Sequence, residues 1–288
     1  MKISLIILSW NTNNLLRDCL RSVDSKDVFE IIVVDNNSTD GSWEMVEKEF
    51  PKVKLIKNKK NLGFAKGNNQ GIRVAGGDLV MLLNSDTVVQ KGAIEKLVDF
   101  YEEQKDKNLA LSPLLLNPDG TVQKEYYMRF PSLWQIFFYH HPLGRFLTLK
   151  TPLKRLILSQ IGKEPTVVEQ LPGAVLMAPK GVWQKVGLLD EDYRFLYEDV
   201  DWSWRAKKMG VKQMVVPEAK IIHLGGGSWR QKLKFNSFEF YCDYFKALLL
   251  FVKKNYGRRR LRIFKKVLLL NFLLRFKFKL FNYFYILK

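Results

Sequence analysis

Glu30-Ile31-Ile32-Val33-Val34-Asp35-Asn36-Asn37-Ser38 places four apolar β-branched residues between two acids and then turns polar at once. An unbroken run of this kind predicts a strand covered on both faces, as in a parallel sheet. Working outward, Ile3–Ser9 reads as a second strand, and Leu15, Leu16, Cys19, Leu20 and Val23 after it repeat at helical spacing. Downstream, Asp40-Gly41 turns into a helix over Ser42–Phe50, followed by strand Val53–Lys57, helix Ala65–Val74, strand Leu79–Leu83 and helix Gly92–Tyr101. Strands alternating with helices predict an α/β fold, a mostly parallel sheet flanked by helices on both faces. Further on, Leu171–Ala178 resumes a strand, Glu198–Met209 reads as a helix, and Val211–Val216 leads into a strand pair ending at His223.

Ligands of such sheets bind beyond the carboxyl ends of the strands. Three strands stop there in polar residues: Ser9-Trp10-Asn11, Asp35-Asn36-Asn37-Ser38 and Asn84-Ser85-Asp86. One such ending is ordinary turn chemistry, whereas three point to a binding crevice. A carboxylate at Asp86 suits a hard divalent cation that bridges diphosphate oxygens, although Ser85 or Asp86 can equally cap the next helix. His223, between a strand and the run Gly225-Gly226-Gly227, can complete a metal shell and would favour Mn2+ over Mg2+. A lone histidine is, however, more often structural. Tyr197-Glu198-Asp199-Val200-Asp201 gathers three acids in four positions. Crowded carboxylates rise in pKa towards general-base work, yet acids also gather in first helical turns for the dipole alone. Asn61-Leu62-Gly63-Phe64-Ala65 is a glycine-punctuated turn into a helix, whose backbone amides favour anions.

Taken in order, these motifs together with Gly173-Ala174 closely resemble the inverting glycosyltransferase family 2, and within it the rhamnosyltransferase-like subgroup. The resemblance covers roughly residues 1–229 and implies the GT-A fold, a nucleotide-diphospho-sugar donor and a divalent metal, Mn2+ or Mg2+. It implies that Trp10, Asn11, Asp35, Asn37, Asn61, Gly63 and Phe64 hold the nucleotide and that Asn84, Ser85 and Asp86 grip the diphosphate. It further implies Asp86 and His223 as metal ligands, Asp199 as the base with Glu198 beside it, and Gly173 and Ala174 on the acceptor side. Many relatives carry Asp-x-Asp where this chain has Asn84-Ser85-Asp86, so metal binding is expected to lean on Asp86, His223 and the diphosphate itself.

The net charge of +18 is unevenly spread. From Arg230 to Lys288, 16 Lys and Arg face only Glu239 and Asp243, so the first 229 residues are nearly balanced. The reading is a GT-A domain over 1–229, an apolar and basic insertion near 130–161, and a basic, aromatic C-terminal region over 230–288. Aromatic and cationic residues together suit an anionic membrane surface, and packing on the domain or on a partner subunit is the alternative. Phe276-Lys277-Phe278-Lys279 alternates like a strand. The chain is expected to be cytoplasmic, peripheral on the inner face of the cell membrane, with a saccharide or lipid-linked saccharide acceptor. Cys19 and Cys242 make neither a disulfide framework nor a metal spacing. A catalytically degenerate nucleotide-sugar-binding protein is the alternative, and the presence of both Asp86 and Asp199 argues against it. No nucleic-acid partner is expected, because only the tail is basic and no recognised motif accompanies it.

Overall fold

A computed structural model of the chain describes residues 1–139, 144, 146, 151–194, 196–225 and 236–287. Gly226 and Gly227 of the glycine run, Phe195, and the expected domain junction near 230 lie outside them.

The parallel half forms as the apolar runs dictate. Strands β1 (Ile3–Ser9), β2 (Val28–Asp35), β3 (Lys54–Lys57) and β4 (Leu79–Leu83) pair in parallel in the order β3-β2-β1-β4. Helices α1 (Asn13–Ser22), α2 (Ser42–Glu49) and α3 (Phe64–Val74) connect them. The other half is mixed rather than parallel. It comprises β5 (Thr87–Val89), β6 (Leu109–Leu116), β7 (Thr166–Val167), β8 (Val175–Pro179) and β9 (Lys212–His223), continuing the order as β4-β8-β6-β9-β5 with β7 on β9. Residues 211–223 therefore supply one long strand, with a register shift opposite Pro113, and not the expected pair. Helices α4 (Ala93–Glu103), α5 (Lys180–Val186) and α6 (Glu198–Lys208) complete the domain.

Direction fixes the site. Because β8 runs antiparallel to β4 and to β6, and β6 runs parallel to β9, strand β9 points the same way as β1, β2 and β4. The ends of β1, β2, β4 and β9 and the start of β8 thus converge on one edge of the sheet. Both faces behind that edge are packed in one apolar cluster reaching from Ile3 to Ile221.

The expected insertion leaves and rejoins the domain at an antiparallel bridge between Met128 and Leu158. Within it, Gln135–Tyr139 forms a π-helix whose Ile136 and Phe137 carbonyls accept from Asn271 Nδ2, each at 3.0 Å. The basic, aromatic region folds into α7 (Ser237–Leu274), kinked at Gly257, and α8 (Phe278–Ile286). The strand-like alternation at 276–279 is instead a turn at Phe276 (φ 53°) leading into α8. A second cluster joins these helices to the domain: Phe245, Phe251, Phe272 and Phe284 pack with Phe130, Ile136, Tyr193 and Tyr197. No helix among the described residues is long and apolar enough to cross a membrane. Cys19 and Cys242 are free and buried.

Candidate active site

The Asn84-Ser85-Asp86 segment turns between β4 and β5 and is pinned from three sides. Asn84 N donates to Ala174 O (2.9 Å), Thr12 Oγ1 donates to Ser85 Oγ (3.1 Å), and Thr87 Oγ1 donates back to Asn84 O (2.7 Å). Ser85 therefore ties the loop to the end of β1, and no helix begins there for it to cap. The short strand β5 was not legible in the sequence, and it is what delivers His223. Thr87 pairs with His223 across the β5–β9 ladder, and Leu224 N donates to Asp86 O (2.9 Å).

His223 Nε2 consequently stands 3.2 Å from Asp86 Oδ1, with both residues buried. The opposite ring nitrogen, Nδ1, lies 3.0 Å from Gln123 Oε1. Gln123 Nε2 already donates to His223 O (2.6 Å) and Asn117 Oδ1 (3.0 Å), so Nδ1 must carry the imidazole hydrogen. Nε2 faces the carboxylate oxygen, and an imidazole nitrogen and a carboxylate oxygen at this distance suit a shared cation, whose binding would leave the ring hydrogen on Nδ1. One carboxylate oxygen and one imidazole nitrogen fit Mn2+ or Mg2+ with the remaining positions filled from outside the protein. Among the described residues no group of three or more His, Cys, Asp and Glu could enclose a metal alone. The Asn84 amide nitrogen lies 3.5 Å from His223 Nε2, where an aspartate would have added a third acceptor.

At the end of β2, Asp35 is buried, and its Oδ1 accepts from Ser38 N (2.9 Å). Its Oδ2 has no hydrogen-bond partner among the described residues, an arrangement that suits an incoming N–H such as that of a nucleobase. Asn36, part of the Asp35–Ser38 stretch but not foreseen as important, braces the facing loop: its Nδ2 donates to Gly63 O (3.1 Å) and Asn61 Oδ1 (3.3 Å). Asn61 is exposed, and Gly63 and Phe64 are half-buried. Asn11 and Asn37 both take left-handed backbone (φ 54° and 66°), and Asn11 Oδ1 accepts from Thr39 N (2.8 Å). Trp10 and Asn37 are exposed beside them.

Asp199 reaches the same edge through Gly173. Asp199 Oδ2 accepts from Gly173 N (2.8 Å) and Oδ1 from Val200 N (2.8 Å). A Cβ on residue 173 would lie 3.2 Å from Asp199 Cβ and Oδ2, so any larger residue there would push Asp199 by a few tenths of an ångström. Gly173 thus holds Asp199 while its neighbour Ala174 holds Asn84, linking the two acidic centres through one dipeptide. Leu196 and Tyr197, both left-handed (φ 63° and 73°), swing Glu198 and Asp199 onto the first turn of α6. Such backbone costs about 1–3 kcal/mol per residue and persists only where the surroundings hold it.

The three acids separate by environment. Asp201 is fully engaged, accepting from Tyr193 Oη (3.2 Å), Asn255 Nδ2 (2.8 Å) and Arg205 Nε (2.8 Å). Burial, and then the charge of Asp199, pushes the Glu198 carboxyl up to about 8, and its Oε2 has no partner. Burial raises Asp199 as well, opposed by backbone N–H groups, those of Gly173 and Val200 foremost. With those donors on Asp199 and none on Glu198 Oε2, a single negative charge on the pair belongs on Asp199 and the proton on Glu198.

A stability signature follows. Glu198 holds its proton more tightly folded than at the ordinary value of 4.5, so between about 4.5 and 8 the folded chain binds more protons than the unfolded one. Stability therefore falls as pH rises through that window. Glu198→Gln, uncharged throughout, should melt higher than the wild type at pH 8.5 and converge with it near pH 4.5. Parallel melting-temperature curves would contradict the assignment. A cleft of about 470 Å3 lined by Arg129, Arg155, Lys207 and Lys212 opens near the start of β9, at the opposite edge, and takes no part in this site.

Comparison with known proteins agrees with the geometry. Residues 4–153 match the model of glycosyl transferase family 2. The N-acetylglucosaminyl-diphospho-decaprenol L-rhamnosyltransferase of Mycobacterium tuberculosis is 28% identical over 204 residues, covering 67% of this chain and 66% of that protein's length. The dTDP-rhamnosyl transferase RfbF of Shigella flexneri is 24% identical over 201 residues, 68% of this chain and 60% of its own. Among solved structures, the mannosyltransferase PcManGT from Pyrobaculum calidifontis, in complex with GDP-Man and Mn2+, superposes over 85% of this chain and 64% of its own with a TM-score of 0.55 at 14% identity, a likeness of fold. A GT-A sheet carrying the matched segment and its ordered loops leaves one conclusion: the chain belongs to glycosyl transferase family 2.

Proposed function

We propose that the chain is an inverting glycosyltransferase that moves a sugar, with rhamnose from dTDP-rhamnose as the first candidate, onto a hydroxyl of a saccharide or lipid-linked saccharide in cell-surface polysaccharide synthesis. The observation that carries this reading is the Gly173-Ala174 bridge, which sets a carboxylate with raised proton affinity beside the Asn84-Ser85-Asp86 loop. Asp35 accepts from the base of the nucleotide, with Trp10, Asn11, Asn37, Asn61, Gly63 and Phe64 around it. Asp86 and His223 hold the divalent cation, which, when bound, neutralises charge on the departing diphosphate. Asp199 removes the proton from the acceptor hydroxyl, whose oxygen attacks the anomeric carbon from the face opposite the diphosphate and so inverts it. Glu198, protonated, keeps a second charge away from Asp199. Rhamnose is favoured by the activities of the two relatives, and a lipid-linked acceptor by that of the first. The test is a panel of nucleotide sugars scored for Mn2+-dependent release of the nucleotide diphosphate. Release from dTDP-rhamnose with acceptor present supports the reading, and release from none sinks it.

The chain is read as lying on the cytoplasmic face of the membrane. Phe276, Phe278 and Ile286 are 79%, 54% and 77% exposed next to Lys277 and Lys279, an apolar and cationic tip suited to an anionic bilayer. Removing the whole region would uncover the cluster around Phe130 and Tyr197, so point changes are the better probe. The triple change Phe276→Ser, Phe278→Ser, Ile286→Ser should lower cosedimentation with anionic vesicles about tenfold while leaving donor hydrolysis unchanged. Equal sedimentation would remove the tip from membrane binding.

A further inference from the structure

We propose that Gln123 is a positioning residue that sets the aim of His223 by accepting from its Nδ1–H. This inference rests on the metal reading of Asp86 and His223 given above.

Gln123 stands just past the hairpin turn Asn117-Pro118-Asp119-Gly120-Thr121, closed by Asn117 N donating to Thr121 O (2.7 Å) with Gly120 left-handed (φ 81°). The turn returns the chain along β6, where Gln123 N donates to Leu115 O (3.0 Å). The side chain thereby arrives, buried, beside the end of β9. Its amide engages both the backbone and the ring of the same residue. Nε2 donates to His223 O at 2.6 Å, and Oε1 accepts from His223 Nδ1–H at 3.0 Å. The second donor hydrogen is used by Asn117 Oδ1 at 3.0 Å, so the amide cannot turn over without losing three hydrogen bonds. Tyr126 meets the imidazole edge-on, with centroids 4.9 Å apart, and limits ring rotation.

The chemical consequence is definite. A neutral imidazole free to choose would divide its hydrogen between the two nitrogens. Gln123 Oε1 accepts from Nδ1–H and so fixes the ring with Nε2 facing Asp86 Oδ1 at 3.2 Å, the nitrogen that would be offered to a cation shared with that oxygen. Among the described residues no third His, Cys, Asp or Glu side chain joins Asp86 and His223 to correct a misaimed ligand, which makes this outer contact weigh heavily here.

The test uses the full chain and Mn2+ alone, with free Mn2+ followed by electron paramagnetic resonance. Gln123→Met, similar in size but unable to accept from Nδ1–H, should weaken Mn2+ binding about 10- to 100-fold. Gln123→Glu retains an acceptor for Nδ1–H while losing the donor to the His223 carbonyl. It should lower the melting temperature yet keep most of the Mn2+ affinity. In a His223→Ala background, Gln123→Met should produce no further loss. A wild type that binds no Mn2+ overturns the metal reading and this proposal with it. Wild-type binding left unchanged by Gln123→Met, or equal losses in the Met and Glu variants, overturns this proposal alone.

Discussion

Asp199→Asn should reduce turnover about 10²- to 10⁴-fold while nucleotide diphosphate binding stays within about twofold. The amide is nearly the same shape as the carboxylate, and its oxygen can still accept from Gly173 N, so the bridge to Ala174 and the loop beyond it survive. What disappears is the only charge the pair carries. The removal of the acceptor proton then falls to water. In the wild type the same logic predicts activity that declines as pH drops, with an apparent pKa above the ordinary carboxylate value, because burial raises Asp199 and activity needs its anion. A kcat split distinguishes this from a misfolded variant: unfolding would take nucleotide binding with it. Turnover near wild type would remove Asp199 from the base role.

Asp86→Ala should lose about 10²- to 10³-fold or more in kcat/KM, a loss of several kcal/mol of charge stabilisation, and here nucleotide diphosphate binding should weaken too. The contrast with Asp199 is the informative part. In the proposed site Asp86 and His223 act as a pair towards a cation, held together by the pairing of Thr87 with His223. Removing the carboxylate leaves a lone imidazole, so Mn2+ should no longer improve nucleotide binding measured by calorimetry. If Mn2+ still tightens binding in Asp86→Ala as in the wild type, the cation sits elsewhere.

Much of this was legible in the residues because burial on both faces writes unbroken apolar runs. β1 and β4 end where Ser9 and Leu83 end those runs, and the polar residues beyond them do lie on one sheet edge. Strand β6 was not legible, because Ser112-Pro113 interrupts it and proline lacks a ladder donor. Pro113 is accommodated at the register shift against β9, a long-range fact with no local signature. β5 is only three residues long, too short to show a period. In the candidate site, charged residues announced themselves while their supports did not. Gln123 is one amide in a hairpin, and Asn36 one of several in its loop; their meaning comes from partners 100 and roughly 25 residues away. The acidic triplet looked uniform in sequence, and only three-dimensional neighbours separate Asp201, engaged by Asn255 and Arg205, from Asp199.

If Asp199 is the base as proposed, the contacts of α7 with the turn before α6 bear on how often it is in place. Tyr197, held left-handed, donates its hydroxyl to Tyr244 Oη (3.3 Å) and packs against Phe251, while Lys254 pairs with Asp190 and Asp192 on the other side of the same loop. Two left-handed residues would relax in a free peptide, so the fraction of molecules presenting Asp199 correctly is set by the docking free energy of a helix that never touches the reacting atoms. Anything that grips or strains that helix acts on the reaction as a change in the population of competent enzyme, with the chemistry of each competent molecule unaltered.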